Sequence, residues 1–149
     1  MSKYYIGIMC GTSLDSIDVS IASITSTKMK VRSFNEYKLS KDLKRQINLA
    51  KKNNRSIKIL SKISADVTNL VCECIKDILS KNKLTHKDID ALGFPGITLN
   101  HRPDLKISTF IGDAALLAKK LKIRVIADFR QTDIDAGGQG APLTGKFHQ

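Results

Sequence analysis

Residues 6–23, "IGIMCGTSLDSIDVSIAS", carry the strongest fold signal in the chain. Two strand-like runs, Tyr4–Met9 and Asp18–Ile24, flank a hydroxyl-rich turn that holds Gly11, Thr12, Ser13 and Asp15. A plain hairpin needs about two turn residues, usually Asn-Gly or another glycine-rich pair. This connection is longer and chemically richer, and two readings of it are open. In the first, consecutive backbone amides converge on a phosphate: Gly11 allows close approach, Thr12 and Ser13 add hydroxyl donors, and Asp15 or Asp18 positions a magnesium ion directly or through water. In the second, the Ser, Thr and Asp side chains only satisfy the turn's own backbone groups.

Beyond this stretch, Met29–Tyr37 is a third strand at short spacing. Ser40 is a plausible N-cap for a helix running to about Lys52. A longer helix is expected from Ser56 to Lys81, where Leu60, Ile63, Val67, Leu70, Val71, Cys74, Ile75 and Ile78 fall at helical steps and read as a core face. Ile89–Phe94 reads as a buried strand ending in Pro95-Gly96, and Lys106–Ile111 as another. Gly112-Asp113 opens a helix over Ala114–Leu121, Arg124–Phe129 is the last expected strand, and a glycine-rich tail follows from Gly137 to Leu143. Three meandering strands followed by alternating helices and strands predict an α/β fold, a mixed sheet covered by helices, in one domain over residues 1–149.

Composition bounds the function. Hydrophobic and charged fractions of 42% and 26% are those of a soluble globular chain. No apolar run approaches the roughly 18–20 residues of a membrane span, and the N-terminus enters a strand pattern at once, so no membrane partner and a cytoplasmic location are expected. Cys10, Cys72 and Cys74 are odd in number and lack disulfide spacing, so reduced, partly buried thiols are expected. The net charge of +11 attracts polyanions, but the lysines are scattered and aromatics are only 5%, so no specific nucleic-acid partner is expected.

"MCGTSLDSIDV" resembles the opening of the anhydro-N-acetylmuramic acid kinases, which typically read Met-Ser-Gly-Thr-Ser-Leu-Asp-Gly-(Val/Ile)-Asp. The similarity continues through "IDALGFPGITLNHRPD", "STFIGDAALLAKKLKIRVIADFRQTDIDAGGQGAPL" and the final "FHQ". The resemblance implies an actin-like, ribonuclease-H-like ATPase fold, of which this chain is the N-terminal half of a two-domain kinase. It implies ATP and magnesium as cofactors and an anhydro-amino-sugar as partner. The family opens the 1,6-anhydro ring with water and phosphorylates O6, giving N-acetylmuramic acid 6-phosphate for peptidoglycan recycling. Carried over by position, Gly11, Thr12, Ser13, Leu14, Asp15, Ser16, Ile17 and Asp18 form the phosphate-binding loop, with Asp15 and Asp18 as the metal candidates. Gly96, Thr98, His101, Gly112, Asp113, Asp128 and Arg130 are the substrate candidates.

Several departures accompany the resemblance. Family members run to more than twice this length. Their Asp-Cys-Gly-Pro-Gly-Asn block, whose aspartate activates water, is expected beyond Gln149, so no catalytic residue is assigned here. The chain alone is expected to be inactive, an inactive remnant or one half of a split kinase, with self-association or a separately encoded second half. The family's Gly-Ser-His-Gly-Gln-Thr is Gly93-Phe94-Pro95-Gly96-Ile97-Thr98, and its Asp-Phe-Arg-Arg-Arg-Asp is Asp128-Phe129-Arg130-Gln131-Thr132-Asp133, which loses two cations. Ser16 replaces a glycine and is strained if that position has positive φ.

Bland readings stand beside several of these residues. Asp128 either faces a cleft or caps a turn. Asp113 either meets an anion or caps its helix, the latter favoured by residue preference. His101 is either exposed or catalytic. Gly140–Lys146 fits GxxxxGK, but Phe147 removes the following hydroxyl, so no working P-loop is expected there.

Overall fold

The computed structural model describes residues 4–52 and 56–142. β1 (Tyr4–Met9), β2 (Ser16–Ile24) and β3 (Met29–Lys38) form the expected antiparallel meander. β4 (Ile89–Gly93) pairs with β1 in parallel. β5 (Ile97–Arg102) and β6 (Ile107–Ile111) form a separate two-stranded hairpin, and β7 (Val125–Ile126) pairs in parallel with β4. The main sheet therefore runs β3-β2-β1-β4-β7. This is the mixed sheet of a ribonuclease-H-like α/β fold.

Side chains alternate across a strand. Ile6 and Ile8 of β1 and Ile17, Val19 and Ile21 of β2 turn to one face and are buried there. α1 (Lys41–Lys52) and α2 (Ile57–Lys81) share that core. Helical spacing puts Ile63, Val67, Val71, Ile75 and Ile78 of α2 on the buried stripe, while α1 contributes Leu43 and Ile47. The Ser40 hydroxyl accepts from the Leu43 amide at 3.2 Å, the expected N-cap of α1. α3 (Ala114–Leu121) matches its expected bounds. The opposite face of the sheet carries Gly7, Ser20 and Phe34 as cross-strand neighbours. On that face Met9 and Phe34 remain 44% and 55% exposed.

Three expectations are corrected. Cys72 and Cys74 are fully buried rather than partly so, because the α2 stripe is broad enough to take both under neighbouring elements. The strand expected over Arg124–Phe129 stops at Ile126. Asp128 takes a left-handed conformation, φ 59°, and α4 (Phe129–Asp135) begins immediately after it. An apolar run of that length does not distinguish strand from helix by pattern alone. Strand β5 is missing from the strands expected in sequence because Asn100, His101 and Arg102 break its apolar pattern. Pairing with β6 supplies its hydrogen bonds.

Candidate functional site

The connection between β1 and β2 is closed by the Leu14 amide donating to the Gly11 carbonyl at 3.0 Å. Positive φ falls on Leu14, at 58°, and its side chain is completely buried, which offsets the backbone cost. Ser16 already belongs to β2 and is not among the positive-φ residues, so the strain considered for it does not arise. Among the described residues the amides of Thr12 and Ser13 donate to no carbonyl, leaving two donors at the tip of the loop.

The two carboxylates of the loop are already engaged. Asp15 is paired with Lys44 of α1 at 2.5 Å, and the Lys44 ammonium, with help from the Ser13 hydroxyl, holds its carboxyl below the usual carboxylate range. Asp18 accepts from the Ser16 hydroxyl at 2.7 Å and lines a shallow depression with Gly7, Ser20 and Phe34. Among the described residues no three His, Cys, Asp or Glu side chains gather as a metal-binding group. This donor set does not fit a magnesium ion caged by the protein, because one carboxylate is neutralised by a lysine and the other is turned to the sheet face.

Beside the loop lies a cavity of about 190 Å³ lined by Gly11, Thr12, Lys51, Thr98 and Arg130, with Met9, Cys10 and Ile97 completing the wall. Arg130 comes from the first turn of α4. Its Nη1 donates to the Gly140 carbonyl at 2.7 Å, while its Nε is buried without a partner. Asp133 fixes the same tail: its Oδ2 accepts from the Gly140 amide at 2.7 Å and its carbonyl from the Gly138 amide at 2.7 Å. The glycine-rich segment is therefore a folded strap over α4 at Gly138–Gly140, and Gly140 is buried. The remainder of the GxxxxGK match, residues 143–146, and the final Phe147-His148-Gln149 lie outside the described residues.

Of the substrate candidates, Thr98 and Arg130 join the loop. Gly96 lies just behind them in the bend from β4 to β5, buried, with φ 67°. Gly112 and Asp113 are placed elsewhere. The Gly112 amide donates to Ser64 Oγ at 3.1 Å and the Asp113 amide to the buried Thr68 hydroxyl at 2.9 Å, docking this turn onto α2. Asp113 Oδ1 accepts from the Leu116 amide at 2.8 Å, so the carboxylate caps α3. Asp113 also borders a groove of about 470 Å³ with Leu60, Ser64, Leu99 and Phe110. His101 is half-buried on the hairpin with Nδ1 3.4 Å from Ser108 Oγ, and Asp128 is exposed at the start of α4. Phe94 and Ile97, where the resemblance leads one to expect polar side chains, are buried in the core.

A family model described as anhydro-N-acetylmuramic acid kinase matches residues 3–149. The chain belongs to the anhydro-N-acetylmuramic acid kinase family. Curated relatives agree. An anhydro-N-acetylmuramic acid kinase of Hydrogenovibrio crunogenus is 37% identical over 149 residues, covering 99% of this chain and 41% of that protein. One from Sulfurimonas denitrificans is 35% identical over 151 residues, covering 100% and 41%. One from Pasteurella multocida is 35% identical over 151 residues, covering 99% and 40%. The chain thus spans about two fifths of the length of the curated relatives it matches. Among the described residues, no helix of this family member is long and apolar enough to cross a membrane.

The sequence reading misses one residue, Lys51, and the role of a second, Asp133. Lys51 enters the cavity wall from α1, and Asp133 ties the glycine strap. Lys51 carries a faint signal in sequence, since it shares a helical face with Lys44, but nothing local says that this face meets the loop.

Proposed function

We propose that this chain supplies the phosphate-binding part of an anhydro-N-acetylmuramic acid kinase, which transfers a phosphoryl group from ATP to O6 of the anhydro-amino-sugar as water opens the 1,6-anhydro ring. One observation carries the reading: a single cavity joins Gly11 and Thr12 of the opening loop to Thr98 and Arg130. The uncommitted amides of Thr12 and Ser13 and the guanidinium of Arg130 supply hydrogen-bond donors and positive charge, as phosphoryl oxygens need. Backbone donors fixed before the reaction stabilise developing charge without reorganisation. The base that activates water is expected in the part of the relatives' length this chain does not match, so the chain alone makes no sugar phosphate from magnesium ATP and anhydro-N-acetylmuramic acid. Its location is cytoplasmic, where ATP is available. The bare sheet face around Met9 and Phe34 favours association with another apolar surface, self-association included.

The test is a tripolyphosphate titration followed by amide NMR shifts at moderate salt, which screens nonspecific attraction. Wild type should shift at Thr12, Ser13 and Asp15, and Gly11→Val should lose those shifts with no change in net charge. A Cβ placed at Gly11 meets only the Ser13 hydroxyl, at 3.6 Å, an ordinary contact. Absence of loop-centred shifts in wild type, or identical shifts in the Val variant, leaves a hairpin with no phosphate role.

A further inference from the structure

α1 meets the loop twice. Lys44 holds Asp15 near the start of β2. Lys51 lies farther along the same face of the helix and reaches the cavity beside Cys10, Gly11 and Thr12. Its ammonium acts on the Cys10 thiol electrostatically, opposed by the nearby carboxylates of Asp18 and Asp15, which lie outside the cavity wall and are engaged by Ser16 and Lys44. Among the described residues Lys51 has no hydrogen-bond or ion-pair partner, and no carboxylate lines the cavity. Arg130 contributes the second cation, with its Nε buried and unpartnered.

Two cations, two hydroxyls and a loop of free amides around one small space call for an anion. We infer that Lys51 is an anion-binding residue that completes, with Arg130 and the Gly11–Thr12 backbone, a pocket for a single phosphoryl group. The inference rests on the phosphate-cradle reading and adds a residue to it. At about 190 Å³ the space is below the roughly 300 Å³ at which larger organic ligands begin to be enclosed, which suits a phosphoryl group better than a nucleoside or a whole sugar. Gln131 and Thr132 stand where the resemblance leads one to expect arginines, so the α4 segment has lost charge. Gln131 accepts from the Ser108 amide and donates to the Lys106 carbonyl of the hairpin, so the cavity's other cation comes from α1 as Lys51. A phosphoryl group arrives from either of two sources, a polyphosphate chain or a phosphorylated sugar, and both present the same oxygens.

The experiment uses the full chain as wild type, Lys51→Met and Lys51→Arg, titrated with tripolyphosphate in one arm and N-acetylglucosamine 6-phosphate in the other. Loop amide shifts give the affinity. Loss of a charge-assisted contact predicts about tenfold weaker binding in Lys51→Met, and Lys51→Arg should stay close to wild type. The arm with the larger loss identifies the source. A second readout is alkylation of Cys10 by iodoacetamide. Removing the Lys51 charge should slow it, and tripolyphosphate should slow it in wild type but not in Lys51→Met. Loop shifts in wild type that persist with equal affinity in Lys51→Met overturn the role of Lys51 and leave the cradle standing. No loop-centred shifts in wild type overturn both. Should Lys51→Met fail to fold, Lys51→Arg and the ligand effect on Cys10 in wild type decide: faster or unchanged alkylation with bound tripolyphosphate overturns the inference.

Discussion

Gly96→Ala is a sharp test of how the bend between β4 and β5 is built. Gly96 has φ 67°, where an L side chain is strained. An added Cβ would lie 2.3 Å from Phe110 Cδ2, 2.8 Å from Phe110 Cγ and 3.0 Å from the Ile111 carbonyl. Reaching an ordinary contact of 3.4 Å requires the ring to retreat by about 1 Å. Phe110 has somewhere to go, because it borders the groove of about 470 Å³. The Ile111 carbonyl has less freedom, since Ile111 is paired with Ile97 in the hairpin. Left-handed backbone costs alanine about 1–2 kcal/mol, and overpacking adds about 1–3 kcal/mol. The expected loss is therefore about 2–5 kcal/mol out of a typical total of about 5–15 kcal/mol. Urea unfolding followed by circular dichroism of wild type, Gly96→Ala, Phe110→Ala and the double variant separates the two terms. Phe110→Ala should relieve the steric part and leave the backbone part, a favourable coupling of about 1 kcal/mol or more. A Gly96→Ala loss under about 0.5 kcal/mol, or strict additivity in the double variant, would contradict the packing argument.

Gly112→Ala should be destabilising as well, by about 2–5 kcal/mol in urea unfolding, because φ is 120° and the new Cβ would sit 2.4 Å from the buried Phe94 ring. Native alkylation should label Cys10 alone, since Cys72 and Cys74 are buried. Burial pushes the Cys10 thiol up to about 11 against the pull of Lys51, so its labelling rate should keep rising with pH to about that value. Tyr37 is pushed above its usual value of 10.0 by burial and then by its hydrogen bond to Asp77. Its contribution to stability is present below pH 10 and lost as pH rises above it, so Tyr37→Phe should show a smaller alkaline fall in the urea midpoint. Asp77 is held below the usual carboxylate range by Lys81 and then Tyr37, so its contribution is lost as pH falls below about 4. Lys81→Met should flatten the acid limb of the same curve.

Local pattern is enough for the elements that repeat a simple period. Alternation through β1, β2 and β3 and the stripe along α2 are direct consequences of side-chain geometry, so their bounds are legible in the sequence within a residue or two. The family, too, is legible, because the Gly11–Asp18 loop and the blocks after it are continuous in the chain. Packing settles what continuity does not carry. β5 needs β6 to be a strand, and Phe129 leaves the strand pattern for a helix whose ring lies over Gly93, 3.6 Å from where a Cβ would be. Asp113 reads as an anion contact or, favoured by residue preference, as a cap, and the bonds to Thr68 and Leu116 make it the cap. Lys51, Thr98 and Arg130 come from three separate elements, and only their packing makes one charged cavity beside Gly11. Charge and hydrogen-bonding groups act through space over a few ångströms, whereas the chain separates these residues by whole helices and strands, and that is why the site belongs to the fold and not to any one motif.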